Sequence, residues 1–222
     1  MNKNRPKILA LLFFAACLVG FIALANMAYH HHLLFVDLPT ARDAPKQLVG
    51  PIQSILQIIS LPGKTAIAGV STVVVAVFFW IKSYRREALF TLAVGGVDAL
   101  SLIIKHVVNR PGPQHIGATV VQSPEVTFPS SHVVHYVAFF GLLVFFMLRL
   151  NKLPAKLRVT VSLLSLGLIL AIPFARILLA EHWVSDVLGG VLLGITSLIV
   201  LIWLYSADWF LPKLKKRFVV ND

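Results

Sequence analysis

The chain has 222 residues, of which 58% are hydrophobic and 13% are charged, and its mean hydropathy is +0.84. Soluble domains contain about 45–50% apolar residues, because their surface helices need polar faces, so this composition excludes an ordinary soluble domain. The formal net charge is +11. Basic and aromatic residues do not alternate along the chain as they do in a strand-binding groove, so nucleic acid is not a predicted partner.

Six apolar segments approach the roughly 20 residues needed to cross about 30 Å of hydrocarbon. They are residues 8–28, 65–81, 88–104, 133–148, 159–175 and 184–206. The first segment follows three cations, as in a signal peptide, but it is long and no clear small-x-small cleavage site precedes His30. We therefore predict a retained helix and an all-α integral membrane bundle of six transmembrane helices, forming a single domain over residues 1–222.

Residues 33–63, between the first two predicted spans, mix charged and apolar side chains. Their apolar residues recur at helical spacing, at Ile52, Ile55, Leu56 and Ile59. This spacing predicts a short helix in an outer-side interfacial segment, 33–63, that packs over the bundle.

The distribution of Lys and Arg predicts the orientation, because cations in short loops resist translocation. Of the 20 cations, 14 fall on one side of the predicted bundle: Lys3, Arg5, Lys7, Lys82, Arg85, Arg86, Arg149, Lys152, Lys156, Arg158, Lys213, Lys215, Lys216 and Arg217. We expect that side and both termini to be cytoplasmic, with these cations near anionic membrane lipids. The opposite side carries Arg42, Lys46, Lys64, Lys105, Arg110 and Arg176.

This topology brings ionisable residues from four helices to the outer face of the membrane. The third span ends at Lys105, the fourth begins near His132, and the fifth ends at Arg176. The sixth begins at His182, with Asp186 one helical turn deeper on the same face. Ionisable residues beside membrane-spanning sequence are costly and usually functional. Cations and histidines in one layer favour a phosphate-binding pocket.

Three motifs between residues 105 and 186 resemble those of the type-2 phosphatidic acid phosphatases, also called lipid phosphate phosphatases. That family carries Lys-x6-Arg-Pro, then Pro-Ser-Gly-His, then Ser-Arg-x5-His-x3-Asp. This chain has KHVVNRPGP from Lys105, PSSH from Pro129 and ARILLAEHWVSD from Ala175. The order of the motifs, the spacing within the third and the predicted topology match the family.

Three positions depart from the family pattern. Gly112 occupies the arginine position of the first motif, and an Arg-Pro pair begins two residues earlier, at Arg110. Ser131 replaces a glycine, and Ala175 replaces a serine. We expect Arg110 to substitute for the missing cation. An unreplaced charged hydrogen bond to phosphate costs about 1.5–3 kcal/mol, which would slow an enzyme without abolishing its chemistry.

The resemblance implies a two-step phosphatase mechanism that needs no metal or cofactor. His182 would attack phosphorus and form a phosphohistidine, and Asp186 would orient its ring. His132 would protonate the leaving oxygen and then activate water. The phosphate would be bound by Lys105, Arg110, Ser130, Ser131 and Arg176.

Two alternatives use the same residues. A zinc site formed by His132, His182 and Asp186 is disfavoured, because the neighbouring cations would repel a metal dication and attract phosphate. A catalytically impaired relative or a transporter would bind lipid phosphate without cleaving it. Gly112 favours that alternative, whereas retention of both histidines and the aspartate favours an enzyme.

The sequence therefore predicts a multi-pass lipid phosphatase of a cell membrane. We expect this membrane to be a bacterial plasma membrane and the active site to face outside. The substrates that the family implies are phosphatidic acid, phosphatidylglycerophosphate and undecaprenyl diphosphate. Besides lipid phosphate and membrane lipids, no partner is predicted, and the sequence defines no oligomeric state.

Overall fold

The computed structural model describes residues 5–44, 50–116 and 119–207. Its helices are α1 (Arg5–Tyr29), α2 (Asp37–Asp43), α3 (Gly50–Ser60), α4 (Thr65–Ile81), α5 (Arg85–Val108), α6 (Ser131–His135), α7 (Gly141–Arg149), α8 (Ala155–Leu178) and α9 (Val184–Ser206). A 3-10 turn, Leu61–Gly63, joins α3 to α4, and a π-helical turn, Tyr136–Phe140, joins α6 to α7. Strands β1 (Pro111–Ile116) and β2 (Thr119–Val126) form an antiparallel hairpin.

Five helices in the described part of the chain are long and apolar enough to cross a membrane. They are Ile8–Tyr29 within α1, α5, the continuous helix Ser131–Arg149, α8 and α9. The predicted second span, α4, has 17 residues and passes the same test only together with Gly50–Gly63, from which it is bent by 58°. Length and composition thus support a multi-pass membrane protein with five spans, or six if the bent pair is one span.

The described residues are mostly helical, as predicted, and the hairpin between α5 and α6 is an addition to the all-α prediction. It lies in a segment where proline and glycine indicate a loop. Pro111 and Pro113 lack backbone donors, but every strand of a two-stranded sheet is an edge strand, where proline is tolerated. The strand register shifts between these two prolines. A Cβ at Gly112 would lie 2.3 Å from Cγ2 of Thr127. The position of the family arginine therefore has no space for a side chain.

Helix α6 and the start of α9 pack closely because α9 carries glycines on the facing side. A Cβ at Gly190 would lie 2.9 Å from the carbonyl oxygen of Ser130, and one at Gly194 would lie 2.7 Å from Cβ of Val137. Small residues of this kind let helix backbones approach in membranes. The Ser130 amide donates to the Asp186 carbonyl over 3.1 Å, so a backbone hydrogen bond joins the second and third motifs.

Helix α3 agrees with the helical spacing of the apolar residues in segment 33–63. Leu56 and Ile59 pack against the buried cluster that contains Ile172 of α8, whereas Ile55 is exposed. The Tyr136 hydroxyl donates to the Ile59 carbonyl oxygen. These contacts hold α3 against α8 and the helix that begins at Ser131. Its location at a membrane interface stays a prediction.

Candidate active site

The turn between α8 and α9 positions the residues of the third motif. Ala180 has a φ of 52°, in the left-handed region that non-glycine residues rarely adopt. The amides of Ala180 and Glu181 donate to the carbonyls of Ile177 and Arg176, which closes the end of α8. The reversal places His182 between the two helices, where it is buried.

His182 and Asp186 form a buried pair at the start of α9. Nδ1 of His182 lies 3.6 Å from Oδ2 of Asp186. The same Oδ2 accepts a hydrogen bond from the Trp183 amide over 3.1 Å. Burial lowers the pKa of His182 to about 4; Asp186 opposes this shift, and the positive charges of Arg176 and Lys105 add to it. The imidazole is therefore neutral at pH 7, as a nucleophile must be.

An open cavity of about 510 Å³ is lined by residues of α3, of the turn into α4, of α6 and of the end of α8. His132 and Arg176 both contribute to its lining, and His132 interacts electrostatically with Arg176, His182 and Lys105. The opposite wall comes from α3 and the turn into α4, with Ser54, Gln57, Ser60 and Lys64. The structure thus brings both predicted histidines and two of the predicted cations into one site.

The described residues contain no group of three or more His, Cys, Asp or Glu side chains that could hold a metal ion. The three side chains weighed above as zinc ligands, His132, His182 and Asp186, therefore do not form such a group. The cations that surround the two histidines are suited to an anion, and a reaction without a metal stays a prediction.

Arg176 is paired with Glu181, a residue that the motif analysis did not single out. Nη1 of Arg176 forms a short ion pair with Oε2 of Glu181, and the two side chains are 8% and 47% exposed. Nε of Arg176 is buried and has no hydrogen-bond partner among the residues described. Arginine binds carboxylate and phosphate oxygens with the same nitrogens. The Glu181 carboxylate thus occupies a nitrogen that a phosphate would use.

The other predicted phosphate ligands near α5 and α6 are Lys105, Ser130 and Ser131, and their contacts differ. The Ser130 amide donates to the Asp186 carbonyl, while Oγ of Ser130 is buried without a partner in the described ranges. Oγ of Ser131 lies 3.1 Å from Oγ of Ser101 on α5. Lys105, in the last turn of α5, is half-buried and interacts electrostatically with Asp186. Lys105 and the Ser130 hydroxyl remain the candidate phosphate donors of this group.

Arg110 contacts carboxylates. Its side chain is buried, with Nη1 2.7 Å from Oδ1 of Asp186 and Nη2 3.2 Å from Oδ2 of Asp37. Asn109, with a φ of 50°, ends α5 in the left-handed conformation that favours Asn and turns the chain towards this position. The guanidinium of Arg110 thus contacts carboxylates of the protein, and its role in binding phosphate stays a prediction. No motif identified Asp37, because it lies far from the other residues in sequence.

The indole of Trp183 forms a hydrogen bond between the hairpin and the third motif. Trp183 is 2% exposed, and its Nε1 donates to the Pro111 carbonyl over 2.9 Å. The Arg110 guanidinium carbon lies 6.0 Å from the centre of the Trp183 ring, within the range of a cation–π contact. The hairpin therefore closes the side of the site where Arg110 enters.

A second polar pair lies deeper in the bundle. Nδ1 of His135 is 3.0 Å from Oδ2 of Asp98, and the side chains are 2% and 29% exposed. Asp98, Ser101 and Lys105 follow one another at helical spacing along α5. Polar side chains therefore continue inward from the site, on a face that the sequence patterns did not reveal.

The family model of the PAP2 superfamily matches residues 86–210, more than half of the chain. Phosphatidylglycerophosphatase B of Bacillus subtilis (strain 168) is 27% identical over 119 residues, which are 53% of this chain and 57% of that protein. Lipid phosphate phosphatase delta of Arabidopsis thaliana is 30% identical over 142 residues, which are 60% of this chain and 34% of that protein. The matched region covers less than two thirds of either relative.

A solved structure has the same fold. The crystal structure of the first transmembrane PAP2 type phosphatidylglycerolphosphate phosphatase from Bacillus subtilis matches with a TM-score of 0.70 and 19% identity, covering 86% of this chain and 94% of that chain. The family model includes all three motifs, from Lys105 to Asp186. The resemblance predicted from those motifs is confirmed: this chain belongs to the PAP2 superfamily.

Proposed function

We propose that this protein is a lipid phosphatase that hydrolyses a lipid phosphomonoester or diphosphate through a phosphohistidine at His182, without a metal, on the extracytoplasmic face. The observation that carries the proposal is that His132 and Arg176 line one open cavity, and that both interact electrostatically with the buried His182, which pairs with Asp186. Family membership and two relatives named as phosphatases support it.

In the first step, Nε2 of His182 attacks phosphorus and the bond from phosphorus to the lipid oxygen breaks. Asp186, near Nδ1, stabilises the positive charge that develops on the imidazole. Protonated His132 gives its proton to the leaving oxygen. The positive charges of Arg176 and Lys105 stabilise the phosphoryl oxygens, since this class of transfer depends mostly on positioning and electrostatics.

In the second step, His132 is neutral and accepts a proton from a water molecule. The water oxygen attacks phosphorus, and the bond from Nε2 of His182 to phosphorus breaks. Inorganic phosphate leaves, His182 is neutral again, and His132 carries the proton needed for the next cycle. Two easier displacements thus replace one difficult displacement.

The open cavity suits a substrate whose headgroup enters the protein while its acyl or prenyl chains stay in lipid. The name of the Bacillus subtilis relative makes phosphatidylglycerophosphate the first substrate to test. Phosphatidic acid and undecaprenyl diphosphate are the other candidates. The cation asymmetry of the sequence supports an extracytoplasmic site.

The test is phosphate release from these three lipids in detergent with EDTA present. The purified proteins are wild type, His182→Ala, His132→Ala and His106→Ala; His106 is an exposed histidine on α5 and serves as the control. We expect release by wild type and His106→Ala, and rates about 10²–10⁴-fold lower for the other two variants. If folded wild type binds the lipids but releases no phosphate, the protein is instead a binding relative or transporter.

A further inference from the structure

Asp37 is a fully buried carboxylate in segment 33–63, outside the three motifs. Its exposed fraction is 0%, and it accepts hydrogen bonds from the amides of Leu34 and Ser185 over 2.8 and 2.9 Å. The Ser185 hydroxyl donates to it over 2.7 Å. A buried carboxylate is costly to desolvate unless its oxygens are bonded, as they are here. Asp37 is therefore fixed by hydrogen bonds to Ser185, the residue that precedes Asp186.

Arg110 lies between this carboxylate and Asp186. Besides the two carboxylates, it donates to Oγ of Ser185 over 2.6 Å and to the His32 carbonyl over 3.1 Å. Two carboxylates and one guanidinium thus share a buried site with one net negative charge. Such networks are weak evidence for stability, because apolar residues of similar volume often replace them without loss. Their presence next to a candidate catalytic pair calls for another explanation.

The network determines how Asp186 faces His182. Oδ1 of Asp186 is occupied by Arg110, whereas Oδ2 receives the Trp183 amide and faces Nδ1 of His182. Arg110 therefore fixes which oxygen approaches the imidazole. Asp37 in turn holds Arg110 and partly neutralises it, which preserves the negative charge of Asp186 towards His182.

We infer that Asp37 and Arg110 are positioning residues for the proposed nucleophile, acting through Asp186. The inference rests on the proposed function, since it assigns a role in phosphohistidine formation. Neither residue touches the substrate phosphate. Their effect is on the rate at which His182 attacks phosphorus, and not on substrate binding.

The charges around His182 predict a readout that a purely structural role would not give. The groups that face it are Asp186 from α9, Arg176 from α8, Lys105 from α5 and His132 from α6. Asp37→Asn removes a negative charge from the network and disfavours the protonated form of His182. The acid limb of the pH profile of kcat/KM therefore moves to lower pH. Arg110→Gln removes a positive charge and moves that limb to higher pH.

The experiment measures kcat, KM and the pH profile of kcat/KM for wild type, for the three test variants Asp37→Asn, Arg110→Gln and Ser185→Ala, and for two controls. Asp37→Asn is expected to lower kcat by about 10- to 100-fold with KM little changed. Ser185→Ala, which removes only a hydroxyl, is expected to lower kcat by about 2- to 10-fold. Asp43→Asn and Arg42→Gln, at exposed positions on α2, are the matched charge controls and should behave as wild type.

Wild type must first form a phosphoenzyme in rapid-quench experiments, and failure there overturns the proposed function itself. If it does so, opposite pH shifts for Asp37→Asn and Arg110→Gln with unchanged KM support the positioning role. Unchanged kcat in folded Asp37→Asn overturns the role, as does a loss that appears only in KM. If the charge variants do not fold, Ser185→Ala decides, and wild-type kcat in that variant overturns the role.

Discussion

Glu181 is the carboxylate that would compete with phosphate for Arg176. Its carboxylate is ion-paired with the guanidinium that would bind the substrate. We predict that Glu181→Gln lowers KM, and lowers the inhibition constant of inorganic phosphate by about two- to fivefold, since the competing charge is removed. Steady-state kinetics with phosphate as inhibitor measure both constants, with Asp43→Asn as the control for loss of an exposed carboxylate. Weaker inhibition by phosphate in Glu181→Gln would contradict this account.

The lowered pKa of His182 predicts how activity and stability depend on pH. Burial brings this pKa to about 4, so the imidazole stays neutral as the pH falls from 7 towards 5. The acid limb of kcat/KM that reports the free enzyme should therefore lie well below pH 6.5, after correction for the substrate's own ionisation. The unfolded chain binds this proton first, so stability should also fall as pH falls from about 6.5 to 4. An acid limb at or above pH 6.5 would contradict the lowered pKa.

Sequence identified some residues of the site and missed others for a physical reason. Arg176, His182 and Asp186 lie close together in one motif, which a linear pattern can detect. Asp37 and Ser185 are bonded across 148 positions, and no local pattern reports such a contact. Arg110 was found as a cation, but its carboxylate partners could be known only from the fold.

At the scale of elements, the 3-10 turn between α3 and α4 determines the position of His132. A Cβ at Gly63 would lie 2.4 Å from Cδ2 of the His132 ring, too close for any real contact. We predict that Gly63→Ala displaces the imidazole and lowers kcat by about tenfold or more, since general acid–base catalysis requires hydrogen-bond distances. Gly69→Ala is the matched control, because a Cβ there meets no atom within 4 Å. Equal kcat values in the two variants would exclude a role for this contact.

Elements that follow from a single physical constraint could be predicted from the sequence, and elements that depend on tertiary contacts could not. Long apolar helices follow from the thickness of the bilayer, and α5, α8 and α9 agree with the predicted spans. The hairpin was not predictable by the same reasoning, because Pro111 and Pro113 oppose strand formation except at an edge. The bend between α3 and α4 likewise depends on tertiary packing.

For the whole molecule, the number of spans, five or six, determines on which side of the membrane the site lies. Six spans place residues 42 and 152 on opposite sides, with residue 152 in the cytoplasm, as the cation distribution predicts. Five spans, with the bent pair outside the membrane, would place both on one side. We predict that a membrane-impermeant maleimide labels Arg42→Cys from outside intact cells, and labels Lys152→Cys only after permeabilisation. Replacement of Cys17 by Ala removes background labelling, and labelling of both positions from outside would contradict the six-span topology.

The measurement that tests the central claim most directly is isolation of the phosphoenzyme with a radiolabelled aryl phosphate whose leaving group needs no acid. In His132→Ala, the first step should still proceed and the second should be slow, so an acid-labile, alkali-stable phosphohistidine should accumulate. His182→Ala should form none. Accumulation of label on His182 in the first variant, and its absence in the second, is the predicted result. Labelled protein in His182→Ala, or turnover by wild type with no phosphoenzyme under any quench, would contradict the phosphohistidine mechanism.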